Sequence, residues 1–168
     1  MGVDPGKTTG WATGLFHRAA IFENERADDL IPGGIVELKM GQVAGNENGQ
    51  VDKLIEKVNE FEPDVLVIED FELRKLLKSR DLLSPVRVGH KLDYAIYNRN
   101  RRQYPAVHSE IKIEWQMPAL AMTTATDDRL KLWGLYNPGK EHARDGSRHV
   151  VTFARRMKVD ASLRAKFL

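Results

Sequence analysis

The sequence predicts a mixed α/β domain, because short apolar stretches alternate along it with segments of helical spacing. The clearest strand is DVLVIED at 64–70, whose continuous apolar run is typical of a strand buried on both faces. The clearest helix is VDKLIEKVNEF, in which Val51, Leu54 and Val58 share one side. With 168 residues, 42% of them hydrophobic and 30% charged, the chain has the size and composition of a single globular domain over residues 1–168.

The segment before this helix predicts three strands. GVD at 2–4 is the first, and only three residues precede its Asp. TTGWATGLF at 8–16 follows a PGK turn and is expected to pair back on the first strand. A polar stretch, ENERADDLIPGG, leads to IVELKM at 35–40, which we interpret as the third strand.

The C-terminal half predicts three helices and one further strand. The helices are VRVGHKLDYAIYNRN, TTATDDRLKLWGLY and, as the last one, EHARDGSRHVVTFARRM. The second has Thr and Asp near its start, where they serve as caps. AVHSEIKIEW at 106–115 is interpreted as a strand.

Composition excludes several classes of protein. The absence of Cys excludes disulfides and thiolate metal sites. No apolar run approaches 18 residues, so no membrane span or membrane partner is expected. No signal-peptide pattern is present at the N-terminus, and we expect a cytoplasmic protein, in the host cytoplasm if the gene is viral.

The net charge of +2 conceals a strong asymmetry. Residues 1–73 carry 6 basic and 15 acidic side chains, whereas residues 74–102 carry 9 basic and 2 acidic ones. Residues 140–168 are also basic, with 8 basic and 3 acidic side chains. Two basic blocks favour a surface that meets a polyanion, with nucleic acid the leading candidate. Two solvated helix faces explain the charge pattern equally well.

The opening stretch GVDPGKTTG suggests either a phosphate-binding P-loop or a site built on Asp4. A P-loop requires G-x-x-x-x-G-K-[ST], but Met1 stands where its first Gly belongs and Pro5 precedes Gly6. The later VLVIED imitates the acidic strand of an NTPase, so this class remains an alternative. An actin-like ATPase would need two lobes, for which the chain is too short.

Four side chains stand at the ends of predicted elements and form a candidate metal site. Asp4 and Glu69 end apolar strands, where open α/β sheets build their sites. His142 and Asp145 are three residues apart on the last helix and share a face. Such ligands suit Mg²⁺ or Mn²⁺, and two ions about 4 Å apart can activate water for phosphodiester cleavage. Each residue alone also has an ordinary explanation as a turn former, strand end or exposed helix pair.

Three motifs resemble the RuvC family of Holliday-junction resolvases, which has the RNase H-like fold. GVDPGKTTGWA is similar to the family's opening strand and turn, VLVIEDFEL to its second acidic strand, and EHARDGSRHVV to its C-terminal helix in the H-x-x-D variant. They span nearly the whole chain, and the likeness is greatest to compact bacteriophage-type members. The resemblance implies an RNase H-like mixed β-sheet flanked by α-helices.

The resemblance also implies an activity, that of a crossover junction endodeoxyribonuclease of DNA recombination and repair. Such an enzyme cuts four-way junctions and related forks or flaps, leaving 5′-phosphate and 3′-hydroxyl ends. It implies a homodimer, since cutting both strands of a symmetric junction needs two sites. The implied cofactor is Mg²⁺, or Mn²⁺, with two ions per site.

Roles carry over onto the matching positions. Asp4, Glu69, His142 and Asp145 match the catalytic, metal-ligating residues, with Asp70 a poorer match than Glu69. Gly6 and Thr8 are expected to shape the turn around Asp4. Phe71 lies close to the place of an aromatic that wedges into the junction.

Basic side chains near these motifs are expected to contact DNA phosphates. For each of them a solvated surface position is the alternative. The set is Lys7, Arg74, Lys75, Lys78, Arg80, Lys112, Arg144 and Arg148.

Three further features left alternatives open. His149 lies one turn beyond Asp145 and either touches the site or belongs to the core. Gly146 costs a helix about 1 kcal/mol relative to Ala, or marks a close approach of helix to sheet. Tyr94 and Tyr97 lie on a helix whose apolar face is expected to be mainly core, with part of it meeting a second subunit.

Two rival functions remain besides an NTPase. A non-catalytic module that binds branched DNA would be expected to lack one or more of the acids, and none is missing. Related nucleases cut RNA–DNA hybrids or serve in transposition, and the sequence does not separate those substrates from junctions.

Overall fold

One mixed β-sheet organises the computed structural model of the protein, which describes residues 1–16, 34–71, 83–103 and 110–167. Within these residues the sheet has five strands in the order β3-β2-β1-β4-β5. The strands are β1 (Gly2–Asp4), β2 (Thr8–Phe16), β3 (Ile35–Ala44), β4 (Val65–Glu69) and β5 (Lys112–Gln116).

The three-residue strand β1 is the centre of this sheet. It runs antiparallel to β2, with Asp4 opposite Gly10, and parallel to β4, with Gly2 opposite Val67. Strand β5 extends the parallel part, and Glu69 is the partner of Gln116 at its end. Although this strand is short, it is bonded to a neighbouring strand on both sides. Asp4 and Glu69 therefore end neighbouring parallel strands at the same edge of the sheet.

Six helices accompany the strands in the described part of the chain. They are α1 (Glu47–Phe61), α2 (Ser84–Gln103), α3 (Pro118–Thr124), α4 (Asp127–Leu132), α5 (Glu141–Val159) and α6 (Ala161–Phe167). Two predictions were wrong here. The segment 123–136 is not one helix, because α3 ends before Thr126, whose side chain caps α4 by accepting from the N–H of Arg129. The helix beginning at Glu141 is also not the last, since α6 follows it.

Helices cover both faces of the sheet. Leu66 and Ile68 of β4 join a core with α1 and α2, whereas Val67 between them joins α5 and α6. This confirms the prediction that the apolar run at 64–70 is a strand buried on both faces. Among the described helices, none is both long enough and apolar enough to cross a membrane.

Helix α2 divides its apolar residues between the core and the surface. Val88, Leu92 and Ile96 are fully buried against the sheet. Tyr94 and Tyr97 point outward and are 66% and 53% exposed. Of the apolar residues predicted to share a face of this helix, Val88, Leu92 and Ile96 belong to the core and the two tyrosines do not.

Candidate metal centre

The turn after Asp4 is held by a buried polar network. Thr9 Oγ1 accepts from the Gly6 N–H at 3.2 Å and donates to Gln50 Oε1 at 2.5 Å. Gln50 Nε2 in turn donates to the carbonyls of Lys7 and Gly45 at 3.1 and 3.0 Å. The predicted role of Gly6 is supported, but the hydroxyl that braces the turn belongs to Thr9 rather than Thr8.

The same turn argues against a P-loop. In that motif the loop leads into a helix, whose N-terminus binds the phosphates. Here GKTT leads directly into the antiparallel strand β2. The NTPase alternative therefore lacks the helix on which its chemistry depends.

Helix α5 lies directly on β1 and β2 because glycines remove the side chains between them. A Cβ on Gly146 would come within 2.9 Å of the Trp11 carbonyl carbon, and one on Gly10 would clash with the His142 carbonyl. The alternative that Gly146 marks a close approach of helix to sheet is confirmed. This contact places the first turns of α5 beside the end of β1.

Asp4, His142 and Asp145 meet at this point. His142 Nδ1 lies 3.5 Å from Asp4 Oδ2. One potential ligand atom from each of the three residues falls within 4.8 Å of the others, which is close enough to share one cation. The side chain of Asp4 is 14% exposed and that of His142 is 45% exposed, so the cluster has a buried floor and an open side.

The cluster is electrostatically strained without a cation. Burial, together with the charges of Glu69 and Asp145, raises the pKa of Asp4 to about 9. Burial also raises the pKa of Asp145, although the Arg148 guanidinium opposes this shift. Carboxylate oxygens with one imidazole suit Mg²⁺ or Mn²⁺, and a cation would relieve the repulsion between the acids. The residues present therefore fit a divalent metal ion.

Glu69 lies beside this cluster, but it is not one of the three residues whose ligand atoms fall within 4.8 Å of one another. Its carboxylate accepts from His149 Nε2 at 2.7 Å, and its charge raises the pKa of Asp4 and Asp145. His149 is 1% exposed, so it is both part of the buried interior and in contact with Glu69. Spacing along α5 was the only sequence signal for this contact.

The arginines of α5 are engaged inside the protein. Arg148 is 5% exposed, and its guanidinium binds Asp145, Asp127 and the Ala125 carbonyl. Arg144 donates to the Asn137 carbonyl at 3.0 Å and lies over the Tyr136 ring. The structure thus favours a role for Arg148 in positioning Asp145 over the predicted phosphate contact. Arg144 is likewise engaged within the protein, by Asn137 and Tyr136.

The other predicted DNA contacts are dispersed. Lys7 is exposed beside the turn, and Phe71 is partly buried two residues beyond Glu69. Lys112 pairs with Val65 at the start of β5, which is the opposite end of the sheet from Glu69. The remaining four lie outside the described residues: Arg74, Lys75, Lys78 and Arg80.

A polar cleft of about 450 Å³ opens next to Lys7. Arg87 and Lys91 line it from α2, and both bind Glu47 of α1, at 2.6 and 3.2 Å. Both cations belong to the basic segment 74–102, but neither was predicted individually as a DNA contact. Their spacing of four residues, which puts both on one helix face, was the available signal.

Comparison with known proteins supports the fold. No protein-family model matches the chain, and no curated protein matches it significantly. Among solved structures it is similar to Thermus thermophilus RuvC in complex with a Holliday junction substrate, with a TM-score of 0.60, 13% identity and coverage of 95% of this chain and 94% of that one. A second Thermus thermophilus RuvC structure gives a TM-score of 0.59 at 13% identity, covering 94% of each chain. The predicted RNase H-like α/β fold is confirmed, and the chain is RuvC-like in fold.

Proposed function

We propose that this protein is a metal-dependent endonuclease that cuts Holliday junctions and related branched DNA. The observation that carries the proposal is the grouping of Asp4, His142 and Asp145 within 4.8 Å on a RuvC-like fold. Glu69, the fourth predicted ligand, ends the neighbouring strand. The solved relative bound to a Holliday junction supports the substrate class.

Asp4, Glu69, His142 and Asp145 are the residues that would hold Mg²⁺ or Mn²⁺, with two ions per site. When bound, the cations would activate water for in-line attack on the scissile phosphate and stabilise the leaving oxygen. The protein's own contribution is position and charge. Asp4 must give up the proton that its raised pKa retains, and the exposed His142 marks the side on which a phosphate could enter.

The same charges explain why cleavage would require metal. The carboxylates of Glu69 and Asp145 repel a phosphodiester through like charge, and Asp4 adds to this repulsion once it loses its proton. Arg148 is buried beside Asp145 and offsets only part of that charge. DNA would therefore approach the acids productively only after cations are bound there.

Phosphates flanking the cut need cations near the acids. In the described part of the chain, Lys7, Arg87 and Lys91 surround the polar cleft beside the Asp4 turn. The predicted contacts at Arg74, Lys75, Lys78 and Arg80 follow Glu69 in sequence and belong to the same proposal. Each phosphate contact would steepen the salt dependence of binding by about one unit.

A homodimer is part of the proposal, because a symmetric junction needs two cuts by two equivalent sites. Tyr94 and Tyr97 are exposed on α2, opposite its core-facing side. Exposed tyrosines are characteristic of surfaces that bind other proteins. Sedimentation of the wild type and of a Tyr94→Glu, Tyr97→Glu double variant would test this directly.

A panel of labelled substrates tests the substrate class. A four-way junction, a fork, a linear duplex and an RNA–DNA hybrid would be incubated with the protein in Mg²⁺ and in Mn²⁺. The proposal predicts cutting of the branched DNA alone. Cutting of the hybrid would assign a different substrate to the same site, and junction binding without cutting in either metal would favour a non-catalytic DNA-binding module.

A further inference from the structure

A chain of three side chains connects the partly exposed Glu69 to the buried His149 and Gln116. His149 Nε2 lies 2.7 Å from Glu69 Oε2, and His149 Nδ1 lies 2.9 Å from Gln116 Nε2. Glu69 and Gln116 are cross-strand partners at the ends of β4 and β5, and His149 reaches both from α5. The imidazole therefore joins the two strand ends to the helix that carries His142 and Asp145.

The contacts assign the proton on this imidazole. The amide nitrogen of Gln116 has only hydrogens to offer, so Nδ1 of His149 must accept. Nε2 of the neutral ring then carries the proton and donates it to Glu69. The same amide nitrogen lies 3.5 Å from the His149 carbonyl, a second acceptor, which is compatible with this orientation of Gln116. The donor directed at Glu69 is thus fixed by a residue that does not itself touch the site.

Glu69 gains a defined orientation from this bond. Its side chain is 25% exposed, and a glutamate at a strand end has several rotamers open to it. Among the described residues, His149 is the hydrogen-bond partner of its carboxylate, and the bond fixes the position of Oε2. Carboxylates that bind metals are characteristically oriented by such outer hydrogen bonds, and losing one costs about 10–100-fold in metal affinity or activity.

We infer that His149 is a positioning residue of the metal centre, acting through Glu69 and itself held by Gln116. The inference rests on the proposed function for its catalytic consequence. For metal binding it stands on the geometry of the three side chains. Because His149 is buried, its ring needs hydrogen-bond partners in any case, and the partner that the fold supplies to Nε2 is a proposed metal ligand.

Two substitutions at His149 separate these roles. His149→Leu fills the buried position with an apolar side chain and removes both nitrogen atoms, whereas His149→Gln retains an amide N–H that can donate to Glu69. Phe153→Leu is the control, because Phe153 is also buried, on the next turn of α5, and belongs to a separate apolar cluster. For each protein, unfolding in EDTA, the Mn²⁺ dissociation constant and the single-turnover cleavage rate at saturating Mn²⁺ would be measured.

The inference predicts that His149→Leu weakens Mn²⁺ binding by about 10-fold or more, while His149→Gln stays within about threefold of the wild type. Phe153→Leu should lower stability in EDTA with unchanged Mn²⁺ affinity. Equal Mn²⁺ affinity in the wild type and His149→Leu would overturn the inference, and so would a Gln variant as weak as the Leu variant.

A further variant keeps the inference testable if His149→Leu does not fold. Gln116→Met removes the donor that fixes the imidazole tautomer, and it should weaken Mn²⁺ binding several-fold; unchanged binding would contradict the inference. If the proposed function is wrong, the experiments give a different result. In that case the wild type would cut no branched DNA, while the order of Mn²⁺ affinities among the variants would still hold.

Discussion

Gly146 of α5 packs against the backbone of Trp11 so closely that a Cβ at position 146 would lie 2.9 Å from the Trp11 carbonyl carbon and 3.0 Å from its Cα. Gly146 directly follows Asp145 in the chain, and its contact with Trp11 limits how near α5 comes to the end of β1. The approach of His142 to Asp4 therefore depends on the absence of side chains at Gly146 and at Gly10, which faces the His142 carbonyl.

Gly146→Ala is expected to damage both the fold and the site. Backbone atoms on β2 cannot move aside as a flexible side chain would, so the helix must shift, at a cost of about 1–3 kcal/mol in unfolding free energy. We expect Mn²⁺ binding to weaken as well, because the shift carries Asp145 away from Asp4. Urea unfolding and Mn²⁺ titration measure the two effects.

Gly49→Ala in α1 is the matched control for that substitution. Its Cβ would meet only the Asn46 side chain, at 3.4 Å. Helix propensity then predicts unchanged or slightly raised stability. A Gly146→Ala protein as stable as Gly49→Ala, with full Mn²⁺ affinity, would show that the close approach has no bearing on the site.

The raised pKa of Asp4 predicts an unusual pH dependence for the metal-free protein. The carboxyl titrates near 3.8 when unperturbed and near 9 in the fold, so between these values the folded state holds a proton that the unfolded state lacks. The free energy of unfolding should therefore fall as pH rises through this window. Asp4→Asn lacks this titration, and in EDTA its stability relative to the wild type should increase by about 1–4 kcal/mol between pH 5 and pH 8. A stability difference that is the same at both pH values would contradict the assigned shift.

Arg148 is expected to stabilise the fold rather than bind DNA. Arg148→Met leaves Asp145 and Asp127 without their shared guanidinium, which should cost about 2 kcal/mol, since Asp127 is partly exposed. The salt dependence of DNA binding should not change. An unaltered unfolding free energy together with a salt slope lowered by about one unit would instead establish the phosphate contact predicted from the sequence.

The polar cleft predicts which cations bind phosphate. Lys91→Gln should weaken junction binding at low salt and reduce the slope of binding against salt by about one unit, with the cleavage rate at saturation unchanged. Lys39→Gln is the control, because Lys39 is likewise an exposed lysine paired with an acid, Glu37, and no DNA contact is predicted for it. Equal slopes for the Lys91→Gln protein and the wild type would remove the cleft from the DNA-binding surface.

The sequence predicted the order of the main elements and the residues of the site because both follow from local pattern. Asp4 and Glu69 stand where apolar runs end, and the spacing of His142 and Asp145 places them on one helix face. The structure brings Asp4, His142 and Asp145 together, while their role as metal ligands stays a prediction. The short helices α3 and α6 were missed, since seven residues each give little periodicity to detect.

The partners of the site residues could not be predicted in the same way. Gln116 reaches His149 only because β5 pairs with β4 in one particular register. Arg148 meets Asp127 because α4 packs beside α5, across 21 residues of sequence. Such pairings depend on the assembled fold, so a charge that looks available in the sequence can be buried in an ion pair.

Single-turnover cleavage of a labelled four-way junction by the wild type and by Asp4→Asn tests the central claim most directly. Both proteins would be assayed with EDTA, Mg²⁺ and Mn²⁺, and junction binding would be measured in parallel. The account predicts that the wild type cuts only with metal, leaving 5′-phosphate ends, and that Asp4→Asn binds the junction without cutting it. Metal-independent cutting, or full activity of Asp4→Asn, would contradict the assignment of this cluster as the nuclease site.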